Sequence, residues 1–431
     1  MTRMKESGID WIGQIPEEWE VRPIKNIVET PVTDGPHETP VLYETGIPFL
    51  SAEAVKDGIL DFNYKRGYIS LRDHERFKKK VSPKKDDIFI VKSGATTGNV
   101  GIVTTYEIFD IWSPLALIRS TKTLAIQKYI YFYLLSTLFK AQVEFNWSFG
   151  TQQNIGMGVI ERIKVILPPI SEQERIVEIL DKKTAQLDKV KSLLEEQIQK
   201  LKDYRASLIY ETVTKGLDKT VPMKDSGIDW IGQVPQGWGV KPLKYLASYD
   251  DETLTQSEIN SNRKIDYVDI SSVEFTKGIN GHQEFSTLEA PSRARKIAKK
   301  GDTIISTVRT YLKAIAYVNN DYIVSTGFCV VRPKKINSKY LNYTIMSDSF
   351  TGPVSKYAWG VSYPAISSSQ LVNIPIPFPE SIEEQLSIVD YLDHKMLQLN
   401  KLIDIKQEQI ENINKQRQTL IYDYVTGKRR V

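Results

Sequence analysis

The sequence predicts a mixed α/β (α+β) protein in which one structural unit occurs twice along the chain. Three observations predict this fold class: an opening motif that recurs, two long helical stretches with a seven-residue apolar repeat that is less regular in the second, and short β-rich runs between them. A repeat of this length indicates that each copy forms an equivalent unit. We therefore expect two bodies with twisted mixed sheets, linked by two long helices that form an antiparallel coiled coil, with a pseudo-two-fold internal repeat.

Each copy begins with the same motif, called the opening motif below. Residues 7–23 read SGIDWIGQIPEEWEVRP, and residues 226–242 read SGIDWIGQVPQGWGVKP. Large apolar side chains at matching positions favour packing, so we expect the tryptophans at the base of the helices. These tryptophans are Trp11, Trp19, Trp230 and Trp238.

Each body consists of short apolar runs separated by Gly, Asn, Asp and Pro, which is typical of strands and turns. The expected strands are Ile88–Val91, Val100–Thr104, Leu115–Arg119, Tyr267–Ile270 and Ala314–Val318. Helices are expected near Tyr129–Phe139 and Tyr340–Met346. The pattern predicts a mixed sheet in each body and leaves its topology open.

The stretch 171–216 contains no Pro and no Gly before Gly216, and leucine recurs at every seventh position. This spacing predicts a coiled-coil seam in a rod roughly 60 Å long, which needs a partner to cover it. Val190 and Tyr204 each follow a leucine by three residues and are expected to form part of a second apolar row. The leucines of the seam are Leu180, Leu187, Leu194, Leu201 and Leu208.

The partner is expected in the same chain, because 381–427 repeats the register and the ends of the first stretch. Lys406 replaces the middle leucine, and Ile403 and Ile410 keep the seam apolar near it. If two equivalent units are joined by such helices, the helices can pack antiparallel, with one body at each end of the helix pair. The predicted seam residues are Leu392, Leu399, Ile413 and Leu420.

Composition excludes several classes of protein. The net charge of the 431 residues is only +4, so any surface that binds nucleic acid must be local. The one cysteine, Cys329, lies in an apolar run and is expected in a buried strand, with a reactive thiol as the minor alternative. The four histidines show no metal-ligand spacing. The sequence shows neither a signal peptide nor a span long enough for a bilayer, so we expect a cytoplasmic protein.

No catalytic motif is evident in the sequence. A phosphate-binding loop and a dinucleotide fingerprint are both missing, and residues 93–99 are better interpreted as a polar hairpin or exposed loop. The run Asp73-His74-Glu75 is interpreted as a charged surface segment. We therefore expect no catalysis, no metal and no cofactor.

Basic residues cluster just before a strand at the corresponding place in each body. A charge run is usually a solvated face, but its recurrence in two divergent bodies favours phosphate binding. Nearby loops contain Gln, Asn and Arg, which can pair with base edges, although turn formation is the alternative role. The clusters are Lys65, Arg66, Arg72, Arg76, Lys78, Lys79, Lys80, Lys84 and Lys85 in the first body, and Arg293, Arg295, Lys296, Lys299 and Lys300 in the second.

These motifs together resemble the specificity subunit of type I restriction–modification systems. The opening motif, the run PPISEQE at 168–174 before the first helix and its counterpart PESIEEQ at 379–385 carry the resemblance over the full chain. The segments TDGPHETP at 33–40 and KSGATTG at 92–98 also resemble a target-recognition domain of that family.

The resemblance implies target-recognition domains at 1–170 and 217–380 and coiled-coil helices at 171–216 and 381–431. Each domain would bind one half of a bipartite, asymmetric site on double-stranded DNA, and the helices would set the spacer. Two methyltransferase (modification) subunits and the restriction (translocase/endonuclease) subunits would assemble on this chain and be directed to the site. S-adenosylmethionine would belong to the modification subunits. The opening motifs could then serve as docking surfaces instead of packing at the helix base.

The candidate DNA-binding residues lie in the loops and basic clusters of both bodies. In the first body they are Asp34, Gly35, His37, Lys78, Lys79, Lys80, Lys92, Ser93, Thr96, Thr97, Asn99, Thr151, Gln152, Gln153 and Asn154. In the second body they are Arg293, Arg295, Lys296, Thr307, Arg309, Thr310, Tyr311, Lys313, Trp359, Ser362 and Tyr363.

Two other functions remain open from the residues alone. The chain could be a non-enzymatic scaffold whose bodies bind proteins, or a hydrolase or nuclease with an unrecognised site. DNA affinity that does not depend on salt would favour the scaffold. Cleavage or methylation by the purified chain alone would favour the enzyme.

Overall fold

The computed structural model describes residues 3–9, 12–149, 153–360 and 362–431. Backbone contacts divide the chain into two compact units, Met1–Leu194 with Gln407–Val431, and Glu195–Lys406. The division falls inside both long helices, so each unit contains one body and one end of each helix. Each unit is described separately below.

The first unit contains fifteen short strands and four short helices among its described residues, followed by the start of the first long helix. The strands are β1 Met4–Glu6, β2 Gln14–Pro16, β3 Glu20–Pro23, β4 Thr33–Asp34, β5 Ile47–Leu50, β6 Val55–Lys56, β7 Ile59–Leu60, β8 Gly67–Ile69, β9 Ile88–Val91, β10 Val100–Ile102, β11 Asp110–Ile111, β12 Leu115–Ile118, β13 Ser148–Phe149, β14 Gln153–Asn154 and β15 Lys164–Leu167. The helices are α1 Leu71–Phe77, α2 Gln127–Leu135, α3 Thr137–Asn146, α4 Met157–Arg162 and the long helix α5 Ile170–Lys215.

The second unit repeats this plan with other strand lengths. Its strands are β16 Met223–Asp225, β17 Gln233–Pro235, β18 Trp238–Pro242, β19 Ala247–Tyr249, β20 Lys264–Val268, β21 Val273–Glu274, β22 Gly278–Ile279, β23 Gln283–Ser286, β24 Ala294–Ala298, β25 Thr303–Ser306, β26 Ile315–Tyr317, β27 Tyr322–Ser325, β28 Phe328–Pro333 and β29 Pro375–Pro379. Its helices are α6 Gln256–Asn260, α7 Ser338–Met346, α8 Asp348–Tyr357, α9 Ser368–Leu371 and the long helix α10 Ile382–Val425.

Both bodies contain mixed sheets, as the sequence predicts. In the first body a six-stranded sheet has the order β4-β12-β9-β10-β7-β6, beside a three-stranded sheet β11-β5-β8. In the second body two four-stranded sheets have the orders β19-β28-β25-β26 and β23-β20-β27-β24. Parallel pairing occurs in each body, between β11 and β5 and between β27 and β20, while most other pairs are antiparallel.

The predicted helix around Tyr129–Phe139 is two helices, because the chain leaves the helical conformation at Ser136, where ψ is 159°. The Ser136 hydroxyl donates to the Tyr133 carbonyl at 2.6 Å, which satisfies an acceptor at the end of α2. This local hydrogen bond competes with continued helix and explains the break.

The end of a long helix from the other copy completes the core of each unit. In the first unit, Trp19 of the opening motif packs in one core with α2, the start of α5 and the end of α10. In the second unit, Trp238 packs with α7, the end of α5 and the start of α10. The tryptophan indoles donate to Glu172 and Glu384, both at 2.9 Å. The predicted packing at the helix base is therefore found for these two tryptophans, whereas Trp11 lies outside the described residues.

The long helices run antiparallel to each other within each unit. In the first unit Arg417 of α10 lies 3.4 Å from Asp188 of α5, and Arg430, five residues after the end of α10, lies 2.9 Å from Glu172 at the start of α5. In the second unit Arg205 donates to Asn400 at 2.8 Å and Lys406 donates to Gln197 at 2.5 Å. Along both sets of pairs the residue number rises in one helix as it falls in the other, so the helices form an antiparallel pair.

The second row of the seam is not the one that the sequence predicted. Val190 and Tyr204 are 47% and 52% exposed, so they lie outside the seam. The buried positions Thr184, Ile198 and Thr212 instead follow a leucine by four residues. In a heptad the two core positions alternate in spacings of three and four, and a polar residue such as threonine leaves no apolar signal in the sequence.

Candidate nucleic-acid interface

A set of interactions recurs in both bodies and holds their loops in place. Arg119 donates through Nε and Nη2 to the two oxygens of Asp87, at 2.7 and 2.6 Å. Arg332 binds Asp302 in the same bidentate manner, at 3.0 and 2.9 Å. These pairs anchor β9 to β12 and β25 to β28, the central strand pairs of the two bodies. The framework is therefore conserved between the two copies within this chain.

An aspartate at the edge of each central sheet binds basic side chains of its own body; it is buried in the first body and half-buried in the second. Asp34 is 1% exposed, and it binds Lys80 at 2.6 Å and also Lys92. In the second body Lys296 lies 2.6 Å from Asp250 and also donates to the Phe328 carbonyl at 2.6 Å. These three predicted DNA-binding lysines are therefore engaged by a carboxylate of their own body.

Burial alone would raise the pKa of Asp34, but the hydrogen bonds and charges of Lys80 and Lys92 outweigh it and hold the pKa below its usual range. His37 contributes an exposed ring nitrogen 3.1 Å from the same carboxylate. Gly35 permits the tight approach of this segment to β11, because a Cβ there would lie 2.2 Å from the Ile111 carbonyl oxygen. The segment from Asp34 to His37 is thus a rigid support with one exposed side chain.

In the first body the loop after β9 is joined to the hairpin of β13 and β14. Gly94 donates its amide to the Gln153 carbonyl at 3.1 Å, and the Thr97 hydroxyl donates to the same carbonyl at 3.1 Å. Ser93 and Asn154 form a β-bridge. The exposed residues of this loop include Thr96 and Asn99, so the predicted residues 93–99 and 153–154 form one surface.

In the second body the loop after β25 is joined to a hairpin in the equivalent way. Trp359 and Ala365 exchange backbone hydrogen bonds of 2.8 and 2.9 Å, and Ile366 donates to the Thr307 carbonyl at 2.9 Å. The matching bond in the first body runs from Ile155 to the Lys92 carbonyl at 2.8 Å. The two bodies therefore present the same loop-and-hairpin construction, which we call the loop platform, with different side chains.

The loop platform of the second body borders an open cleft of about 720 Å³. The cleft lies where the ends of β20, β25 and β27 meet. Its polar lining residues are Asp269, Ser271, Arg293, Thr307, Arg309, Thr326 and Tyr363. Arg309 stacks over the Tyr363 ring, with 4.7 Å between the guanidinium carbon and the ring centroid.

Charge pairing separates the basic residues of both bodies into two classes. Many of the lysines and arginines of the two bodies bind carboxylates, including Arg66, Arg76, Lys78, Lys80, Lys92, Lys296, Lys299 and Arg332. Arg293 and Arg309 form no ion pair with any described residue and line the same cleft. An unpaired guanidinium retains its donors for an external acceptor, so these two arginines are the stronger candidates for contacts with DNA.

The other predicted site residues are distributed as follows. Thr307 and Thr310 are buried, and Thr307 donates its hydroxyl to the Gly327 carbonyl at 2.9 Å. Lys313 pairs with Asp348 at 2.9 Å. Thr151 and Gln152 lie outside the described residues. The remaining predicted residues are exposed or half-exposed side chains away from the cleft lining: Lys78, Lys79, Arg295, Tyr311, Trp359 and Ser362.

Sequence reasoning missed three polar residues of the cleft, Asp269, Ser271 and Thr326. Asp269 and Ser271 lie in the turn after β20, whereas Thr326 follows β27, and the pairing of these two strands brings Thr326 to the other two residues. Asp269 accepts a hydrogen bond from the Ile270 amide at 2.8 Å, so it also caps a short 3₁₀ turn. The sequence signal that could have indicated Asp269 is its position directly after a strand.

Histidine and cysteine residues have specific surroundings. His74 is not simply part of a surface run, because its Nδ1 lies 2.6 Å from Asp110, whose pKa is raised by burial. Cys329 lies buried in β28, as predicted, and burial raises the pKa of its thiol to about 12. The exposed side chains of Asp266, His282 and Glu284 bring possible metal ligands within 4.8 Å of one another, a grouping that their sequence spacing does not indicate.

Comparison with known proteins gives one consistent result. The profile of the type I restriction modification DNA specificity domain matches residues 16–202 and again residues 235–415. The chain is 24% identical, over 97% of its length and 94% of the relative, to the type I restriction enzyme MjaVIII specificity subunit of Methanocaldococcus jannaschii. It is 25% identical to the MjaIX specificity subunit of the same organism, over 43% of each chain.

A solved structure shares the fold. It was determined in work on complex assembly and conformational transition of the type I R-M system, and it aligns with a TM-score of 0.68 over 95% of this chain and 98% of its own, at 17% identity. Within the described ranges, this chain has no helix long and apolar enough to cross a membrane.

Proposed function

Because this chain belongs to the family of type I restriction–modification DNA specificity subunits, we propose that it recognises a bipartite, asymmetric DNA site with one half-site per body. The paired helices set the spacer between the half-sites. The chain directs two methyltransferase subunits and the restriction subunits to that site. The chain itself performs no chemistry, and the methyl donor is held by the modification subunits.

The observation that carries this proposal is the duplicated loop platform. Each body repeats the aspartate–arginine pair and the hydrogen bonds that fix the loop after the central strand to a hairpin. The side chains that this framework presents differ, with Thr96 and Asn99 in one body and Arg309 and Tyr363 in the other. A common framework with different exposed side chains supports recognition of a different base sequence by each body, since base recognition depends on the hydrogen-bond donors and acceptors that the side chains present.

The direct test is footprinting of the chain assembled with its modification subunits. We expect two protected half-sites of different sequence, separated by a spacer whose sequence is unconstrained. A single continuous motif without a degenerate centre would contradict the proposal.

Exchange of one body tests whether each body recognises its half-site independently of the other body. Replacement of residues 24–165 by the corresponding body of another specificity subunit should change one half-site and leave the other unaltered. Altered recognition at both half-sites would contradict the proposal that each body recognises one half-site. The wild-type complex, measured on the same library of duplexes, is the control.

Salt dependence distinguishes DNA binding from a protein scaffold. Contacts to phosphates release counterions, so the logarithm of the binding constant should fall linearly as the logarithm of the salt concentration rises. A binding constant that does not change with salt would favour the scaffold.

A further inference from the structure

The cleft of the second body presents groups that match the two bases of one G·C pair. Arg309 offers a planar guanidinium with parallel donors, and Asp269 offers a carboxylate acceptor in the same cleft. In the major groove guanine exposes the acceptors N7 and O6, which a guanidinium can bind together, and cytosine exposes the N4 amine, which a carboxylate can bind.

The backbone at Arg309 is in an unusual conformation. Its φ is 50° and its ψ is 50°, in the left-handed region, and Lys313 at the other end of the same turn has φ 46°. The other described non-glycine residues with positive φ are Asp or Asn, which tolerate this region better. A long basic side chain held there indicates that the surrounding structure imposes the position of Arg309.

The surroundings of Arg309 orient its side chain without neutralising it. The Tyr363 ring restrains the plane of the guanidinium, and stacking leaves the in-plane N–H groups available. No described carboxylate lies within ion-pair distance of Arg309, in contrast to Lys296 and Arg332 of the same body. In the lining of the same cleft, Asp269 Oδ1 accepts from the Ile270 amide at 2.8 Å and from the Tyr267 hydroxyl at 3.5 Å, while Oδ2 accepts no hydrogen bond from any described residue.

From these observations, and resting on the proposed DNA recognition, we propose that Arg309 and Asp269 are specificity-determining residues that read one G·C pair in the half-site of the second body. Arg309 binds guanine O6 and N7, and Asp269 accepts from cytosine N4. Arg293, the second unpaired arginine of the cleft, binds an adjacent phosphate and carries no base preference.

The experiment is selection from duplexes randomised in both half-sites, using the full chain assembled with its modification subunits. Arg309→Gly removes the side chain and suits the left-handed backbone, so loss of folding is not expected. Arg309→Lys keeps the charge and loses the bidentate geometry. Both variants should reduce discrimination at one G·C pair about 10- to 100-fold and leave the first body's half-site unchanged.

Two further variants complete the test. Asp269→Asn keeps an acceptor for the Ile270 amide and should weaken discrimination at the same base pair. Arg263→Ala is the matched control, because Arg263 is an exposed arginine of the same body paired with Glu258 at 3.5 Å. Its site preference should equal that of the wild type.

Three results would overturn the assignment. These are an unchanged preference in Arg309→Gly, a lost preference at an A·T pair, and a uniform loss of affinity for all sequences with a smaller salt slope, which marks a phosphate contact. Failure of the underlying proposal is a separate result, because the wild-type complex would then select no bipartite site at all.

Discussion

Individual charged residues of this chain are divided between support and recognition. Buried or half-buried pairs such as Asp34 with Lys80 and Lys92, and Asp250 with Lys296, lie at the edge of the central sheets. Removal of one partner leaves an uncompensated charge in a poorly solvated site, which costs more than the intact pair gains. These charges therefore contribute to the folded bodies, and the unpaired arginines of the cleft, Arg293 and Arg309, are the ones that we propose for contacts with DNA.

Asp34→Asn should destabilise the first unit by about 3 kcal/mol, because it removes the charge that Lys80 and Lys92 surround. The measurement is thermal unfolding of wild type and variant near pH 7. The exposed Glu44→Gln of the same body is the control and should leave the melting temperature unchanged.

The same variant predicts a dependence on pH. The pKa of Asp34 is lowered in the folded chain, so its contribution to stability is complete above the unfolded value of about 3.9 and is lost as the pH falls through the folded pKa. The difference in melting temperature between wild type and Asp34→Asn should therefore shrink below about pH 4. A difference that stays constant down to pH 2.5 would contradict this assignment.

At the scale of elements, each long helix ends at a glycine that packs on a tryptophan of an opening motif. Gly216 has φ 69° and faces Trp238 in the second unit, and Gly427 has φ 73° and faces Trp19 in the first. A left-handed residue after the last turn is the usual way to end a helix, and glycine adopts it without strain. These glycines therefore end the helix and permit the close contact.

Alanine at the two glycines should have unequal effects. The Cβ of Gly216→Ala would lie 3.3 Å from Trp238, so the main cost is the left-handed backbone, about 1 kcal/mol. The Cβ of Gly427→Ala would lie 2.6 Å from Pro16 Cδ, which adds an overpacking cost of about 1 to 3 kcal/mol. Chemical denaturation of both variants measures their free energies of unfolding. A larger loss of stability in Gly216→Ala than in Gly427→Ala would refute this account of the contacts.

At the scale of the whole molecule, the two long helices contribute to both compact units. The first unit contains the start of α5 and the end of α10, and the second unit contains the other two ends. Neither body can therefore bury its core with residues from its own copy alone. This arrangement supports the proposal that helix length determines the DNA spacer.

Deletion of one heptad from each helix, at facing positions, should shorten the spacer and preserve both half-sites. Seven residues correspond to about 10 Å of helix, or about three base pairs of DNA. The measurement is the site selected by the complex with its modification subunits. Deletion from one helix only is the control and should disrupt the seam and lower stability. A spacer of unchanged length in the matched deletion would show that the helices do not set it.

Much of the fold follows from local patterns in the sequence. The heptad leucines predict the helix pair, the recurring opening motif predicts the two copies, and strand β9 falls at the predicted Ile88–Val91. The second seam row could not be predicted, because Thr184 and Thr212 carry no apolar signal. The sequence predicted that the candidate DNA-binding residues lie in loops. It did not predict which of the charged residues form ion pairs.

The sequence by itself determined the duplication, the paired helices and the family, since each depends on residues that recur at regular spacing along the chain. Only the tertiary structure decided which charges are free. Lys296 belongs to the same basic cluster as Arg293, yet it meets the carboxylate of Asp250, and Lys80 and Lys92 of the first body likewise meet Asp34, which is distant in the sequence. Sheet order also brings Asp269 to Arg309. The physical reason is that an electrostatic interaction depends on distance in space, which the strand order sets and the spacing in the chain does not.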